Sequence, residues 1–411
     1  MAERAAVGLF IACFVLLPFG RLVELPMLLA ALAGLALLRR APRPWQRWEL
    51  HLPTLFFAAY WLPELVSAVD AVDPARSWGE VALDLRYLPM LWYFADRLRG
   101  ARAQRAVRHA LAWIVLLWVA DALIQQATGW SLGGPPKADR LSGIFGADHL
   151  KLGAMVAVLG AFALDAAQAR GRGAALLAGL AILTVVLLAG TRAAWLMLAV
   201  VVLVLGLLRH GWRRALAAAL ALAVAGLAIG AVAYHASERF AARIDRSAAV
   251  LNGDRSGIDH ALAYRLPIWH AALAMASAHP INGVGVRGFR VAYRDHAAAD
   301  DPWVGFVDGQ GAAHAHNIVL ELLSETGLCG LALWLLAVVA GVRAWRWAEP
   351  SRRALARASA AALAAVLFPL NTHYAVYSSV WGGLLMLLAA LYAAALLPEA
   401  GGARQAPAVR R

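Results

Sequence analysis

Long apolar runs recur along the chain at approximately 5–18, 22–38, 52–69, 78–96, 109–126, 149–168, 174–190, 193–208, 214–234, 316–342, 356–373 and 377–397, with short polar segments between them. Crossing bilayer hydrocarbon takes about 20 apolar residues in a helix; several runs are shorter, and their flanks extend them. Amides in lipid must be paired within the segment, so runs that enter it are helices. The pattern predicts an all-α integral membrane protein of about 12 transmembrane helices. The longest polar interruption, 235–315, predicts one large loop between helices 9 and 10. The expected division is 1–234 for helices 1–9, 235–315 for a loop domain with amphipathic helices, 316–397 for helices 10–12, and 398–411 for a tail. Within the loop, Leu262, Leu266, Trp269, Leu273 and Met275 recur near helical spacing. They predict an amphipathic helix over Ile258 to His279 at the membrane surface, with Pro267 in its first turns or kinking it.

Composition agrees with this class. Of 411 residues, 62% are hydrophobic and only 15% are charged, more apolar surface than a soluble domain could bury. The net charge of +13 would suggest nucleic acid if it formed one patch, but the arginines are spread between the apolar runs, and no nucleic-acid partner is expected. Alternate short loops hold Arg39, Arg40, Arg43 and Arg47; Arg97, Arg99, Arg102, Arg105 and Arg108; Arg170 and Arg172; Arg209, Arg213 and Arg214; and Arg343, Arg346, Arg352, Arg353 and Arg357. The intervening loops hold Arg21, Arg76, Lys137, Arg140 and Arg192. Nineteen against five is a positive-inside bias, with both termini cytoplasmic and the long loop outside. The first run, Ala5 to Pro18, follows Arg4 without a small-residue cleavage site and reads as a retained signal anchor. Cys13 and Cys329 fall inside apolar segments, so neither a disulfide nor a cysteine metal site is expected.

With orientation set, the ionisable residues of the apolar runs gather on the outer side: Glu64, Asp84, Arg86, Asp121 with Gln125, Lys151, Arg192, Glu321, Glu325 and His373. Charges within a membrane are costly and face a cavity or a partner. This distribution predicts a polar cavity open to the outer leaflet and capped by the long loop. For Glu64, Asp84 and Asp121 the competing expectation is ion pairs that hold the bundle together.

Four short strings carry candidate chemistry. The first is His314-Ala315-His316-Asn317-Ile318-Val319-Leu320-Glu321, followed by Gly327 and Gly330, where the loop enters helix 10. A helix N-terminus offers main-chain N–H groups and a positive dipole end to an anion, and the same field keeps a histidine neutral and able to accept a proton. Two residues apart on a helix, His314 and His316 would point in opposing directions, so one base is expected. The second string is Arg265 with His279-Pro280-Ile281-Asn282-Gly283-Val284-Gly285, whose Gly283 and Gly285 permit a tight turn and close approach. The third is Arg140-Leu141-Ser142-Gly143-Ile144-Phe145-Gly146, and the fourth Gly190-Thr191-Arg192. Arg140, Arg192 and Arg265 then stand on the outer face beside a histidine. Arginine forks bind phosphate oxygens bidentately, and the combination fits a polyprenyl diphosphate-linked sugar donor. His235, His260, His270 and His296 are expected to be ordinary loop histidines.

In these strings, and in their order along the chain, the sequence resembles the O-antigen ligase and O-antigen polymerase superfamily. The helix count and single large loop extend the resemblance over nearly the whole chain. It implies a GT-C-like membrane glycosyltransferase of the bacterial inner membrane, active at the periplasmic face and without metal or other cofactor. It implies transfer of O-antigen from undecaprenyl diphosphate to lipid A-core oligosaccharide, with inversion, in lipopolysaccharide biosynthesis. Arg192 and Arg265 would bind the diphosphate, with Arg140, Arg86 and Lys151 as further donor-binding candidates. His316, which directly precedes Asn317, is the first candidate to activate the acceptor hydroxyl and His314 the second; Asn317, Glu321, Gly283 and Gly285 would support them. An O-antigen polymerase or a protein O-oligosaccharyltransferase of the same superfamily stays open, since these differ in acceptor. A lipid-linked sugar flippase or transporter would more often show internal repeats or broken midplane helices, and the sequence shows neither.

Overall fold

A computed structural model describes residues 1–38, 47–136, 140–146, 151–236, 238–248, 257–259, 262–305, 311–372 and 375–398. Arg39, Arg40, Arg43, Lys137, His260, His373 and the tail from residue 399 lie outside the described residues. The chain is 79% helix, with no strand among the described residues. α1 (Ala2–Leu16) continues through a tight 3-10 segment (Leu17–Val23) into α2 (Glu24–Leu38). Then come α3 (His51–Ser67), α4 (Pro74–Asp84), α5 (Tyr87–Arg97) and α6 (Ala101–Thr128). α7 (Leu152–Arg170), α8 (Arg172–Leu188), α9 (Arg192–His210) and α10 (Trp212–Ala236) follow. The long loop carries α11 (Glu238–Ala248), α12 (Leu266–Ala278) and α13 (Phe289–His296). α14 (Ile318–Trp347), α15 (Pro350–Val366) and α16 (Ser379–Leu396) close the chain.

Every apolar run carries a helix, but seven helices among the described residues are long and apolar enough to cross a membrane. α3, α8 and α15 have 17 residues each, about 25 Å at 1.5 Å per residue, and fall just short. α1 and α2 count together as one stretch, Ala2–Leu37, although Gly20 leaves helical geometry between them at φ 66°. The fourth run is two helices rather than one. Pro89 lacks the N–H that would bond the carbonyl of Leu85, and its ring crowds that carbonyl, so the helix restarts after Arg86.

Burial separates the layers. α7 and α16 sit at the centre, with 78% and 83% of their apolar windows buried, whereas α10 has 6% and α14 11%. On α10, Leu216, Leu220, Val224, Leu227 and Val232 are exposed. Such apolar, outward-facing helices are stable only against lipid, and the protein is a multi-pass membrane protein. α7 packs against α6, α8, α9 and α15; α14 lies along α3, and α2 along α5.

The two ends of the bundle differ. At one end Asp165 of α7, 3% exposed, meets Arg108 of α6, Arg209 of α9 at 2.9 Å and Arg357 of α15 at 3.8 Å. Beside it, Arg47 contacts Asp96 at 2.6 Å, and Arg352 donates to the carbonyls of Arg99 and Ala394. The arginines expected to share one side of the membrane are thus held together by two carboxylates and main-chain carbonyls. The opposite end carries the long loop, which has its own apolar cluster of Ile268, Met275, Val284, Phe289, Tyr293 and Ala315.

The loop helix differs from expectation in extent. It begins at Leu266 rather than near Ile258, because Ala263 and Tyr264 both take φ 57°, which no right-handed helix contains. Asp259 accepts from the N–H of Leu266 at 3.1 Å, and Pro267 occupies the first turn. α12 packs on α14 with Met275 fully buried.

Candidate functional site

The site is built around a break in α14. Gly327 takes φ 64°, ψ −161° inside the helix, which strands the carbonyls before it and the N–H groups after it. The loop segment from His279 to Gly285 satisfies both sets. Val284 and Gly285 donate to the carbonyls of Ser324 and Glu325 at 2.8 and 3.1 Å, while Leu328 and Cys329 donate to those of Pro280 and Ile281 at 2.8 and 3.0 Å. The glycines are there because backbone meets backbone. A Cβ on Gly283 would stand 2.3 Å from the carbonyl carbon of Glu325, and one on Gly285 2.3 Å from the Cβ of Ala71. The same segment is tied to the end of α3, where Val286 donates to Ser67 Oγ at 3.0 Å.

Beside this splice lies a cavity of about 300 Å³ lined by Arg76, Lys151, Arg287, Arg290, His314 and Glu325, with Ser378 and Trp381. Glu325 is buried, and its carboxylate accepts from the N–H of Arg287 at 2.9 Å and of Phe289 at 3.4 Å. Burial, and then the nearby Arg76 and Arg287, hold the Arg290 guanidinium below the usual arginine pKa. Three arginines therefore sense one another here.

Four described non-glycine residues have positive φ: Ala263, Tyr264, Arg287 at 62° and His316 at 51°. Three lie in the long loop and His316 directly follows it; two are at the site and two immediately precede Arg265. Such positions cost about 1–3 kcal/mol each and persist where surrounding contacts overdetermine them. Trp303 supplies one such contact, its indole N–H reaching the carbonyl of Tyr264 at 2.6 Å.

The histidine pair is arranged differently from the expectation. Both residues precede α14, and the ring centroids of His314 and His316 are 3.9 Å apart, side by side rather than opposed. The helix N-terminus is not open to an anion either. Asn317 caps it, its Oδ1 accepting from Val319 at 3.0 Å and Leu320 at 3.1 Å, while its carbonyl accepts from Glu321 at 2.9 Å. Asparagine before an apolar run is a capping signal, and Asn317 uses the N–H groups that a ligand would need.

Arg192 and Arg265 come together. The Arg265 pKa is lowered, first by burial and then by Arg192, and Arg192 Nη1 donates to Ser247 Oγ of α11 at 3.1 Å. The turn bearing Arg192 packs on the start of α7: a Cβ on Gly153 would lie 3.0 Å from the Cβ of Ala189 and 3.4 Å from Thr191 Oγ1. Lys151, two residues earlier, lines the His314 cavity. Arg140 reaches the same end, since its neighbour Leu141 donates to the carbonyl of Leu188. Its loop is folded by Gln125, which accepts from Ser142 at 2.9 Å and Gly143 at 3.0 Å, and by Asp121, which accepts from Leu132 at 2.9 Å.

Arg86 stands apart from the cavity lining. It pairs with Asp84 at 2.7 Å and Glu24 at 3.2 Å and lies 4.3 Å over the Tyr87 ring, and Tyr60 donates to Asp84 beside the fully buried Glu64. Glu321 is buried one turn into α14. Arg76, Arg287 and Arg290 in the cavity lining, and Ser247 beside Arg192, are candidates that the sequence reading did not include. The Arg287-Gly288-Phe289-Arg290 string, which follows Val286, was the available signal. Among the described residues no group of three His, Cys, Asp or Glu side chains is placed to hold a metal.

A larger, apolar crevice of about 570 Å³ runs between α3, α9, α14, α15 and α16. Val376 and Tyr377 face it, while Ala375 and Ser378 face the cationic cavity, so this short segment divides an apolar space from a charged one.

No curated protein matches the chain. Residues 176–335, from within α8 into α14, match the model of a protein family described as O-antigen ligase, a span that takes in Arg192, Arg265, the splice and the histidine pair. Over that segment the chain is similar to the O-antigen ligase family.

Proposed function

We propose that the protein is an O-antigen ligase: an inverting, metal-independent glycosyltransferase that moves polysaccharide from undecaprenyl diphosphate to lipid A-core oligosaccharide. It would work at the periplasmic face of the bacterial inner membrane, with both termini in the cytoplasm. The observation that carries this reading is the convergence of Arg192 and Arg265, far apart in sequence, at the end of the bundle that also holds the His314–His316 pair. The apolar crevice suits a polyprenyl tail, and the arginine pair suits the two charges of a diphosphate diester.

The acceptor hydroxyl attacks the anomeric carbon from the face opposite the diphosphate. The new C–O bond forms as the bond to the diphosphate oxygen breaks, and that oxygen leaves with the electron pair. A histidine, His316 first, takes the hydroxyl proton. Arg192 and Arg265 stabilise the charge growing on the leaving group, in a preorganised site where such stabilisation is large.

A two-substrate assay tests the reading. The purified chain is given lipid-linked donor with lipid A-core, and donor alone. Product that requires lipid A-core is the expected outcome. Longer donor-linked chains without it would instead make the protein a polymerase.

A further inference from the structure

The cationic cavity holds more charge than the donor uses. A diphosphate diester carries two negative charges, which Arg192 and Arg265 match; neither residue lines the cavity. Arg76, Lys151, Arg287 and Arg290 add four cations against one lining carboxylate, Glu325, whose oxygens already accept from the N–H groups of Arg287 and Phe289. None of these four cations makes an ion pair among the described residues. Like charges gathered beside a membrane cost stability unless an anion joins them.

The cavity also carries His314, and the base acts on the acceptor rather than on the donor. In-line attack puts the acceptor on the side of the sugar away from the diphosphate arginines. Arg287 is positioned by main chain: its φ of 62° and its N–H bond to Glu325 fix where its side chain departs. Arg290 follows one helical turn later on α13.

We infer that Arg76, Arg287, Arg290 and Lys151 form a subsite for phosphate groups on the acceptor glycolipid, separate from the donor's diphosphate site. The subsite selects a phosphorylated acceptor and sets its hydroxyl against the histidine pair. This rests on the ligase reading for the acceptor's identity, and the test separates the two.

The full chain in nanodiscs is titrated with lipid A-core bearing its phosphates, with the same glycolipid after phosphatase treatment, with phosphatidylglycerol, and with lipid-linked donor. The wild type is expected to bind the phosphorylated glycolipid at least about tenfold more tightly than the dephosphorylated one, the scale of one charge-assisted hydrogen bond. Arg290→Gln and, at an exposed position that the fold tolerates, Arg76→Gln each remove most of that preference and leave donor affinity unchanged. Arg294→Gln, the same charge change on the outer face of α13, alters neither. Equal binding of the two glycolipids by the wild type overturns the inference. So does a loss of donor affinity in Arg290→Gln, which assigns these cations to the donor. Phosphatidylglycerol binding as tightly as the glycolipid overturns it too, in favour of a general anionic-lipid site. Phosphate-dependent binding without any transfer keeps the subsite and removes the ligase reading; transfer indifferent to acceptor phosphate does the reverse.

Discussion

Val284 donates its main-chain N–H to the carbonyl of Ser324 at 2.8 Å, and this bond places a loop residue inside the gap of a broken membrane helix. Three companion bonds complete the splice. The long loop is therefore part of α14's hydrogen-bond ladder, and its position is set to within a hydrogen bond of the helix that follows the histidine pair.

Gly283→Ala should break that register. The residue has φ 71°, and its added Cβ would meet the Glu325 carbonyl carbon at 2.3 Å. A left-handed alanine costs about 1–2 kcal/mol, and overlap with backbone adds about 1–3 kcal/mol. The thermal midpoint should fall by several degrees, with transfer lost in parallel. An unchanged melt would show that the splice is not what holds the loop.

Asp165→Asn tests the opposite end. One buried carboxylate meets three arginines from α6, α9 and α15; without its charge they repel across the interface. Losing one partner of a buried pair costs about 3–5 kcal/mol, and because these arginines are partly exposed the expected loss is about 2 kcal/mol. Stability should drop in a detergent melt while the KM for both substrates stays unchanged. A changed KM with normal stability would contradict a purely structural role.

Much of this was legible in the chain. Charge alternation between apolar runs named the arginines that now surround Asp165 and Asp96, because a positive-inside bias is written residue by residue. The strings around Arg140, Arg192, Arg265 and His316 each mark a turn or a helix start at the loop end. The break at Gly327 was not legible: an isolated glycine in an apolar run reads as a tolerated helix residue, and only the partner segment 280–285, more than 40 residues upstream, makes a break affordable. Asn317 stands within the histidine string, yet its capping role depends on where the helix begins. Arg287 and Arg290 were invisible as candidates because their approach to Arg76 is made by tertiary contact, with Val72 donating to the carbonyl of Val284 and Ser77 to that of Val286.

His316→Gly separates chemistry from fold at the histidine pair. His316 holds φ 51°; glycine would relieve about 1–2 kcal/mol of left-handed strain and lose about 0.5–1 kcal/mol of backbone entropy. Stability should stay within about 1 kcal/mol of the wild type while transfer is abolished. His316→Ala keeps the strain and should lose transfer as well. Near-normal activity in either variant would move the base to His314.

The arginine pair gives a prediction that binding alone can check. Burial first, and then Arg192, lower the Arg265 pKa, so the two guanidinium groups repel, and on the proposed reading the donor's diphosphate would offset that repulsion. Arg265→Gln should leave the melting temperature of the free protein unchanged or slightly raised, because a repulsion is removed. Donor lipid, which should raise the wild-type melting temperature by mass action, should then lose most of its effect, and kcat/KM should fall about 100-fold or more, as when one preorganised transition-state donor is removed. Arg192→Gln should behave alike, and the double variant should lose less than the sum of the two, because both act on one leaving group. Donor-induced stabilisation that survives intact in Arg265→Gln would place the diphosphate elsewhere.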